Sequence, residues 1–331
     1  METRTLGRTG RQVGVIGLGA WQLGADWGRV DEADALATLH AALESGVDFI
    51  DTADVYGDGR SEQFIAKLLR ERAAAGAEGS LTVATKMGRR VAQELANYSA
   101  ANFRKWTDRS RRNLGVDRLD LVQLHCPPGP VYASDEVFDA LDALVEDGTI
   151  AAYGVSVESC EEALAAIRRP HVASVQIILN AFRLKPLEQV LPAALEAGVG
   201  IIARVPLASG LLSGRYTAKT VFGASDHRTF NRRGEAFDVG ETFSGVDFET
   251  GLEAVERLRP LVPEGAALAQ FALRWIIDQP GVSVVIPGAR NAEQARANAA
   301  AAALAPLDQD TNKAVQDVYD ELIRPQIHDR W

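Results

Sequence analysis

Short apolar runs alternate along the chain with longer amphipathic segments rich in Ala, Leu and Glu, the pattern of repeated βα units around a parallel sheet. Eight such runs occur, from Val15 to Trp21, Val47 to Thr52, Leu81 to Lys86, Leu119 to His125, Ala151 to Val157, Ser174 to Asn180, Gly200 to Leu207 and Ser283 to Gly288. Between them, segments such as 31–46 repeat apolar residues at helical spacing and end on a stop residue, here Gly46. Eight alternations predict an α/β fold of the (β/α)8 TIM-barrel type, with residues 1–331 forming one domain. A chain of 331 residues, 47% of them hydrophobic, can bury a core of that size.

Two stretches fall outside the alternation. Residues 1–14 place Gly7, Thr9 and Gly10 between short polar-apolar alternations, which predicts a β-hairpin closing the N-terminal end of the barrel. The polar stretch from Ser213 to Val246, between the seventh and eighth strands, carries His227, Arg228, Arg232 and Arg233 together with Phe230, Phe237 and Phe243. Loops of that length are uncommon in compact domains unless they bind something. A partly ordered lid over the strand ends is expected.

Three of the apolar runs finish on a titratable side chain. The passage FIDTADVYGDGRSE places Asp51 at a run's end and Tyr56 five residues later, while Lys86 and His125 end the next two runs. In a parallel barrel all C-terminal strand ends share one face, and active sites are built there. Neighbouring strands lie roughly 4.8 Å apart, so the four groups can converge within about 10 Å. A lysine ammonium close to a tyrosine favours phenolate and lowers a pKa that is otherwise near about 10. Asp51 is placed to hold such a lysine charged, and His125 to bond a substrate oxygen or share its proton. Together they form a device that protonates an oxygen becoming an alkoxide, one half of a carbonyl reduction whose hydride a nicotinamide supplies. Each residue alone has an ordinary structural reading. Their convergence does not, and lysine is scarce here, with six among 35 basic residues.

Composition removes several other functions. A formal charge of −10 and a pI near 5.1 oppose a nucleic-acid partner or an anionic membrane surface. The N-terminal residues have no apolar core of a signal peptide and no run approaches a membrane span, so a cytoplasmic location is expected. Cys126 and Cys160 are the two cysteines and read as reduced thiols, and the five histidines contain no i, i+4 pair, so no metal site is expected. Gly17 and Gly19 do not open a Rossmann turn, because Gln22 stands where the third glycine belongs.

DTADVYG, ATK and QLH resemble the tetrad motifs of the aldo-keto reductase superfamily in order and spacing, and the resemblance covers essentially the whole chain. It extends to GLGAWQLG near the first strand, GVSV at Ser156, SVQ at Gln176, ARVPLASGLLSGRY and IPGARNAEQARAN. The last two look most like the bacterial branch with general-stress and inositol-operon-type members. The resemblance implies Tyr56 as general acid and base, Lys86 and Asp51 as its tuning pair, and His125 orienting a carbonyl. It implies NADPH or NADP+ as cofactor, with NADH less preferred. The nicotinamide end then lies near Ala20, Trp21 and Asp51, and Ser156 and Gln176 bond its carboxamide. Arg204 stands where many relatives stack an aromatic ring. Val205, Pro206, Leu207, Ala208, Ser209, Gly210 and Leu211 face the diphosphate, and Gly288, Arg290, Gln294 and Asn298 read the adenine end, with Arg290 on the 2′-phosphate. Three positions depart from the pattern: Gly288 replaces a common lysine, Gln294 an arginine and Val157 an asparagine. Trp21, Tyr56, the residues after His125 and the long loop form the substrate mouth, which suits aldehydes or small ketones with an apolar portion. The expected partner is a small-molecule carbonyl compound, and the expected assembly a monomer or weak homo-oligomer. Two other functions fit the fold: a cofactor-binding regulator resembling potassium-channel β-subunits, and a barrel lyase or isomerase with Lys86 as a Schiff base.

Overall fold

The apolar runs form strands that are buried on both faces and pair only in parallel, which a sheet covered by crossover helices permits. The computed structural model describes residues 1–24, 30–77 and 81–331. After a hairpin of β1 (Thr3–Thr5) and β2 (Gln12–Gly14), eight strands follow in sequence order: β3 (Leu18–Gly19), β4 (Phe49–Asp51), β5 (Thr82–Met87), β6 (Leu121–His125), β7 (Tyr153–Ser156), β8 (Ser174–Ile178), β9 (Gly200–Arg204) and β10 (Val282–Val285). Each pairs with its sequence neighbours, and parallel bridges from Ile16 to Val285 and from Gly19 to Gly288 join the two ends of the sheet. The result is the expected (β/α)8 barrel. Helices 32–44, 60–74, 100–114, 135–146, 160–167, 190–197 and 268–277 lie between the strands, and the first gives way to Gly46 at a φ of 86°.

The first strand is shorter than its apolar run predicts. Pairing stops at Gly19, and Trp21–Gly24 coil into a 3₁₀ turn that carries Trp21 onto the cavity rim. The end of the run is apolar because Ala20 is buried and Trp21 lines the cavity, not because the ladder continues.

The hairpin closes the N-terminal end of the barrel as expected. Leu6 and Val13 pack on Phe49, Ala84, Leu121, Ile202 and Val284, the interior layer at that end. Gly7 sits so close to the barrel floor that a Cβ there would lie 2.0 Å from Gly200 N and 2.3 Å from Ala173 O, and its φ is 46°. Only glycine fits both conditions.

The Ser213 to Val246 stretch is more ordered than its composition predicts. It contains a short helix, His227–Phe230, and two 3₁₀ turns, Val239–Glu241 and Phe243–Gly245. Phe222, Phe243 and Phe248 pack together, with Phe243 fully buried. Asn180 Nδ2 donates to Ser244 Oγ at 2.8 Å, and Ser209 Oγ donates to the carbonyl of Glu241 at 2.7 Å. Several of its polar groups are buried by bonds to the barrel, although the stretch also keeps an exposed polar side, and hydropathy alone reads it as loop.

Candidate active site

The four side chains at the strand ends do converge. Lys86 is buried at the end of β5, where its ammonium forms an ion pair with Asp51, donates to the carbonyl of Thr52 at 3.0 Å and reaches the Tyr56 hydroxyl at 3.3 Å. The Tyr56 and His125 rings meet edge to face with centroids 6.0 Å apart. Tyr56 comes from the turn after β4, in which Gly57 (φ 58°) packs its backbone against Gly24 so tightly that a Cβ would meet Gly24 O at 2.2 Å. That contact fixes the tyrosine relative to the Trp21 turn.

Burial alters the expected electrostatics. The Tyr56 phenol is held above its usual range by desolvation first, and Lys86 offsets only part of this, with Asp51 and Glu241 adding to the rise. The lysine acts in the expected direction but does not dominate. For Lys86, burial works against the charged form, yet Asp51 and Tyr56 outweigh it and hold the ammonium above its ordinary pKa. His125 lies well below its ordinary value because of burial and the charges of Arg89, Lys86 and Arg204, and its Nδ1 is sealed without a hydrogen-bond partner. Near neutral pH the site therefore presents a neutral phenol, a charged lysine and a neutral imidazole.

Asp51 has further partners. Gln123 Nε2 and Gln176 Nε2 both donate to Asp51 Oδ1, at 3.0 and 2.8 Å, and Gln176 also bonds Gln123 Oε1 at 3.1 Å. Gln123 went unnoticed in the sequence, although it stands two residues before His125 on one strand and so shares its face. Asp54 is another buried acid nearby: neither of its carboxylate oxygens has a partner, and burial with Glu62 beside it pushes its pKa up to about 7.

A cavity of about 930 Å³ extends from these groups along the C-terminal face. Trp21, Tyr56, His125, Phe230 and Phe237 line one part, and Trp21 lies 5.3 Å from His227 and 6.0 Å from Phe237 between ring centroids. Gln22, Pro206, Gly210, Arg215, Gly288 and Arg290 line the rest. Of the expected cofactor positions, Ala20, Trp21, Asp51, Ser156, Gln176, Arg204, Val205, Pro206, Leu207, Ser209, Gly210, Gly288, Arg290, Gln294 and Asn298 all reach this cavity. Ala208 and Leu211 do not, and their side chains join the core.

The segment after β9 is strained. Val205, Ala208 and Ser209 have φ values of 51°, 46° and 54°, followed by Gly210 at 95°. A β-branched residue at positive φ is costly and persists only where its surroundings enforce it. Arg204, just before, is fixed edge-on: its guanidinium pairs with Glu241 from the long loop, and Nη2 donates to Glu158 Oε2 at 2.8 Å and to Val157 O at 2.9 Å. Glu158 in turn accepts from Arg89 Nη2 at 2.8 Å. Glu158 and Glu241 carried no sequence signal, since both lie outside the strand runs.

Space at the far end is shaped by a glycine. A Cβ at Gly288 would lie 2.1 Å from Gln22 Oε1, so the Gln22 side chain fills the space that a side chain at position 288 would enter. Asn298 Nδ2 donates to the Gly288 carbonyl at 3.1 Å, and Gln294 Oε1 accepts from Arg290 N at 3.0 Å, leaving the Arg290 side chain exposed at the rim. Among the described residues no group of His, Cys, Asp and Glu is arranged to hold a metal, and no helix is long and apolar enough to cross a membrane.

The model of the aldo/keto reductase family matches residues 15–320. The chain is 31% identical to the aldo-keto reductase YhdN of Bacillus subtilis over 304 residues, covering 90% of this chain and 87% of that protein. Its fold superposes on the holo form of aldo-keto reductase AKR11C1 from Bacillus halodurans with a TM-score of 0.75 at 27% identity, over 96% of each chain. It is also 27% identical over 321 residues to a probable voltage-gated potassium channel subunit beta of Arabidopsis thaliana, covering 93% of each.

Proposed function

The chain belongs to the aldo/keto reductase family, and from that membership and the cavity geometry we propose that it is an NADPH-dependent oxidoreductase that reduces aldehydes or ketones to alcohols. The observation that carries this reading is the Lys86 ammonium bonded to both Asp51 and the Tyr56 hydroxyl, with that hydroxyl facing the cavity beside His125.

The residues present fit a nicotinamide dinucleotide. The cavity is long enough to be lined both by Asp51, Tyr56 and His125 and by Arg290, the backbone after β9 is strained in the manner of a ligand cradle, and Gln22 Oε1 and Arg204 Nε are buried without partners among the described residues. When bound, the nicotinamide supplies the hydride. Tyr56 gives its phenolic proton to the carbonyl oxygen as negative charge gathers there, and Lys86 stabilises the phenolate left behind. His125, neutral and edge to face with the Tyr56 ring at the cavity, orients the carbonyl. Asp51 keeps Lys86 charged, and Gln123 and Gln176 hold Asp51 in place. In the same reading, Ala20, Trp21, Ser156 and Gln176 position the nicotinamide, Arg204, Val205, Pro206, Leu207, Ser209 and Gly210 pass the diphosphate, and Gly288, Arg290, Gln294 and Asn298 take the adenosine, with Arg290 selecting the 2′-phosphate.

We place the chain in the bacterial branch with general-stress and inositol-operon-type members, on the strength of ARVPLASGLLSGRY and IPGARNAEQARAN. It acts as one barrel domain of residues 1–331 in the cytoplasm, as a monomer or weak homo-oligomer, on small carbonyl compounds, with NADH as a poorer cofactor. NADPH oxidation by wild type and Tyr56→Phe against a panel of aromatic and aliphatic aldehydes tests the proposal. Turnover in the first and loss in the second supports it.

Similarity to a probable channel β-subunit favours a second reading, a cofactor-binding regulator on the same fold. Under it, NADPH binds while wild type and Tyr56→Phe are equally inactive toward every aldehyde.

A further inference from the structure

Arg89 has no place in the chemistry above, yet its side chain lines the cavity. It follows Gly88, whose φ of 115° turns the chain off the end of β5 and over the strand mouth three residues after Lys86. It lines the same cavity as His125, and burial and its charge together hold that imidazole below its ordinary pKa. Its only hydrogen bond among the described residues runs from Nη2 to Glu158 Oε1 at 2.8 Å. Nε, Nη1 and the second N–H of Nη2 have no acceptor among the described residues. Arg204 differs, since Glu241, Glu158 and Val157 O take both its terminal nitrogens.

The counter-ion of Arg89 also faces away. Glu158 does not line the cavity, because its other oxygen turns to Arg204 and its carboxylate is divided between two cations. Arg89 thus brings to the cavity a guanidinium with donors left over from its one ion pair, while Glu241, the carboxylate that lines the same cavity, is taken by Arg204. A planar guanidinium edge is matched by a carboxylate, which accepts two parallel N–H bonds. Trp21, Phe230 and Phe237 line the same cavity and supply an apolar wall.

We infer that Arg89 is a specificity-determining residue that receives a substrate carboxylate, so that the preferred substrates are aldehydes joining an apolar or aromatic body to a carboxylate group. This rests on the reductase reading and narrows it to a substrate class. The carboxylate remains unchanged in the reaction; its two hydrogen bonds orient the aldehyde toward Tyr56 and His125.

The test compares 4-carboxybenzaldehyde with 4-methylbenzaldehyde, of similar shape and no charge, in wild type, Arg89→Met and Arg89→Lys. Wild type is expected to favour the carboxylated aldehyde in kcat/KM, Arg89→Met to lower the ratio of the two by about tenfold or more, and Arg89→Lys to restore part of it. A general structural disturbance would change both aldehydes and leave the ratio intact. A ratio that moves by less than about threefold in Arg89→Met overturns the inference while leaving the reductase reading in place. Calorimetry of 4-(hydroxymethyl)benzoate binding to NADP+-loaded protein separates the two further. If neither aldehyde turns over, binding that weakens about tenfold in Arg89→Met sustains the carboxylate site and removes the reductase, and binding indifferent to Arg89 overturns the site as well.

Discussion

The ammonium of Lys86 lies 3.3 Å from the hydroxyl of Tyr56, and it is held there by Asp51 on its other side. The pair couples a buried cation to a phenol at the cavity surface, so that loss of the phenolic proton is met by a charge already in position. Tyr56→Phe removes the proton donor and little volume. Turnover of aldehydes is expected to fall by more than about a hundredfold, with NADPH binding retained in fluorescence titration.

The pH dependence of reduction follows from the directions of the shifts. Tyr56 is raised, so it keeps its proton throughout the neutral range; His125 is lowered well below its usual value, so it stays neutral there. The kcat/KM for aldehyde reduction should therefore be level between about pH 6.5 and 8.5, with no limb at the usual histidine value of about 6.5. A limb there would mean that His125 takes up a proton in the working enzyme.

Asp54 makes stability fall as pH rises. Its folded pKa of about 7 lies above the ordinary 3.8, so between those values the folded state holds a proton that the unfolded chain has released. Stability from this group is complete below the ordinary pKa and is lost as pH climbs through the folded one. Asp54→Asn abolishes that loss: its advantage over wild type should grow by about 2 to 3 kcal/mol between pH 5 and pH 7.5, measured by urea unfolding.

Arg290 discriminates between the two nicotinamide dinucleotides if it pairs with the 2′-phosphate. Arg290→Ala should weaken NADPH by about 1 to 3 kcal/mol and NADH by much less. Equal losses would move the 2′-phosphate elsewhere.

Glu241 ties the long loop to the end of β9 through Arg204. Removing it leaves a buried guanidinium with Glu158 as its remaining carboxylate partner. Glu241→Ala should lower unfolding free energy by about 2 to 4 kcal/mol and expose residues 213–246 to limited proteolysis.

The barrel and the four converging side chains were legible because strand periodicity and strand ends are local features. A residue at the close of an apolar run occupies the C-terminal face whatever the rest of the chain does, and this placed Asp51, Lys86 and His125 correctly together. Less legible were the groups that act across distance. Glu241 lies in a polar segment with no periodicity and meets Arg204 only after the loop folds back. Gln123 was within reach, since it shares a strand face with His125. Burial was the harder quantity: a neighbouring lysine lowers a tyrosine pKa, but desolvation of the phenol outweighs it, and no sequence pattern states how much water a site excludes.

The hairpin that stops the barrel floor has a consequence for the order of assembly. Arg4 donates to the carbonyls of Ile277 and Val282, each at 2.8 Å, and Arg8 bonds Arg169, Val172 and Ala197. These partners lie between 161 and 278 residues downstream. Contacts of such separation form late, after the closing loop has been shortened by the folding of what lies between. The hairpin is thus expected to be among the last elements seated, with Leu6 and Val13 joining the barrel interior only once β10 is in place.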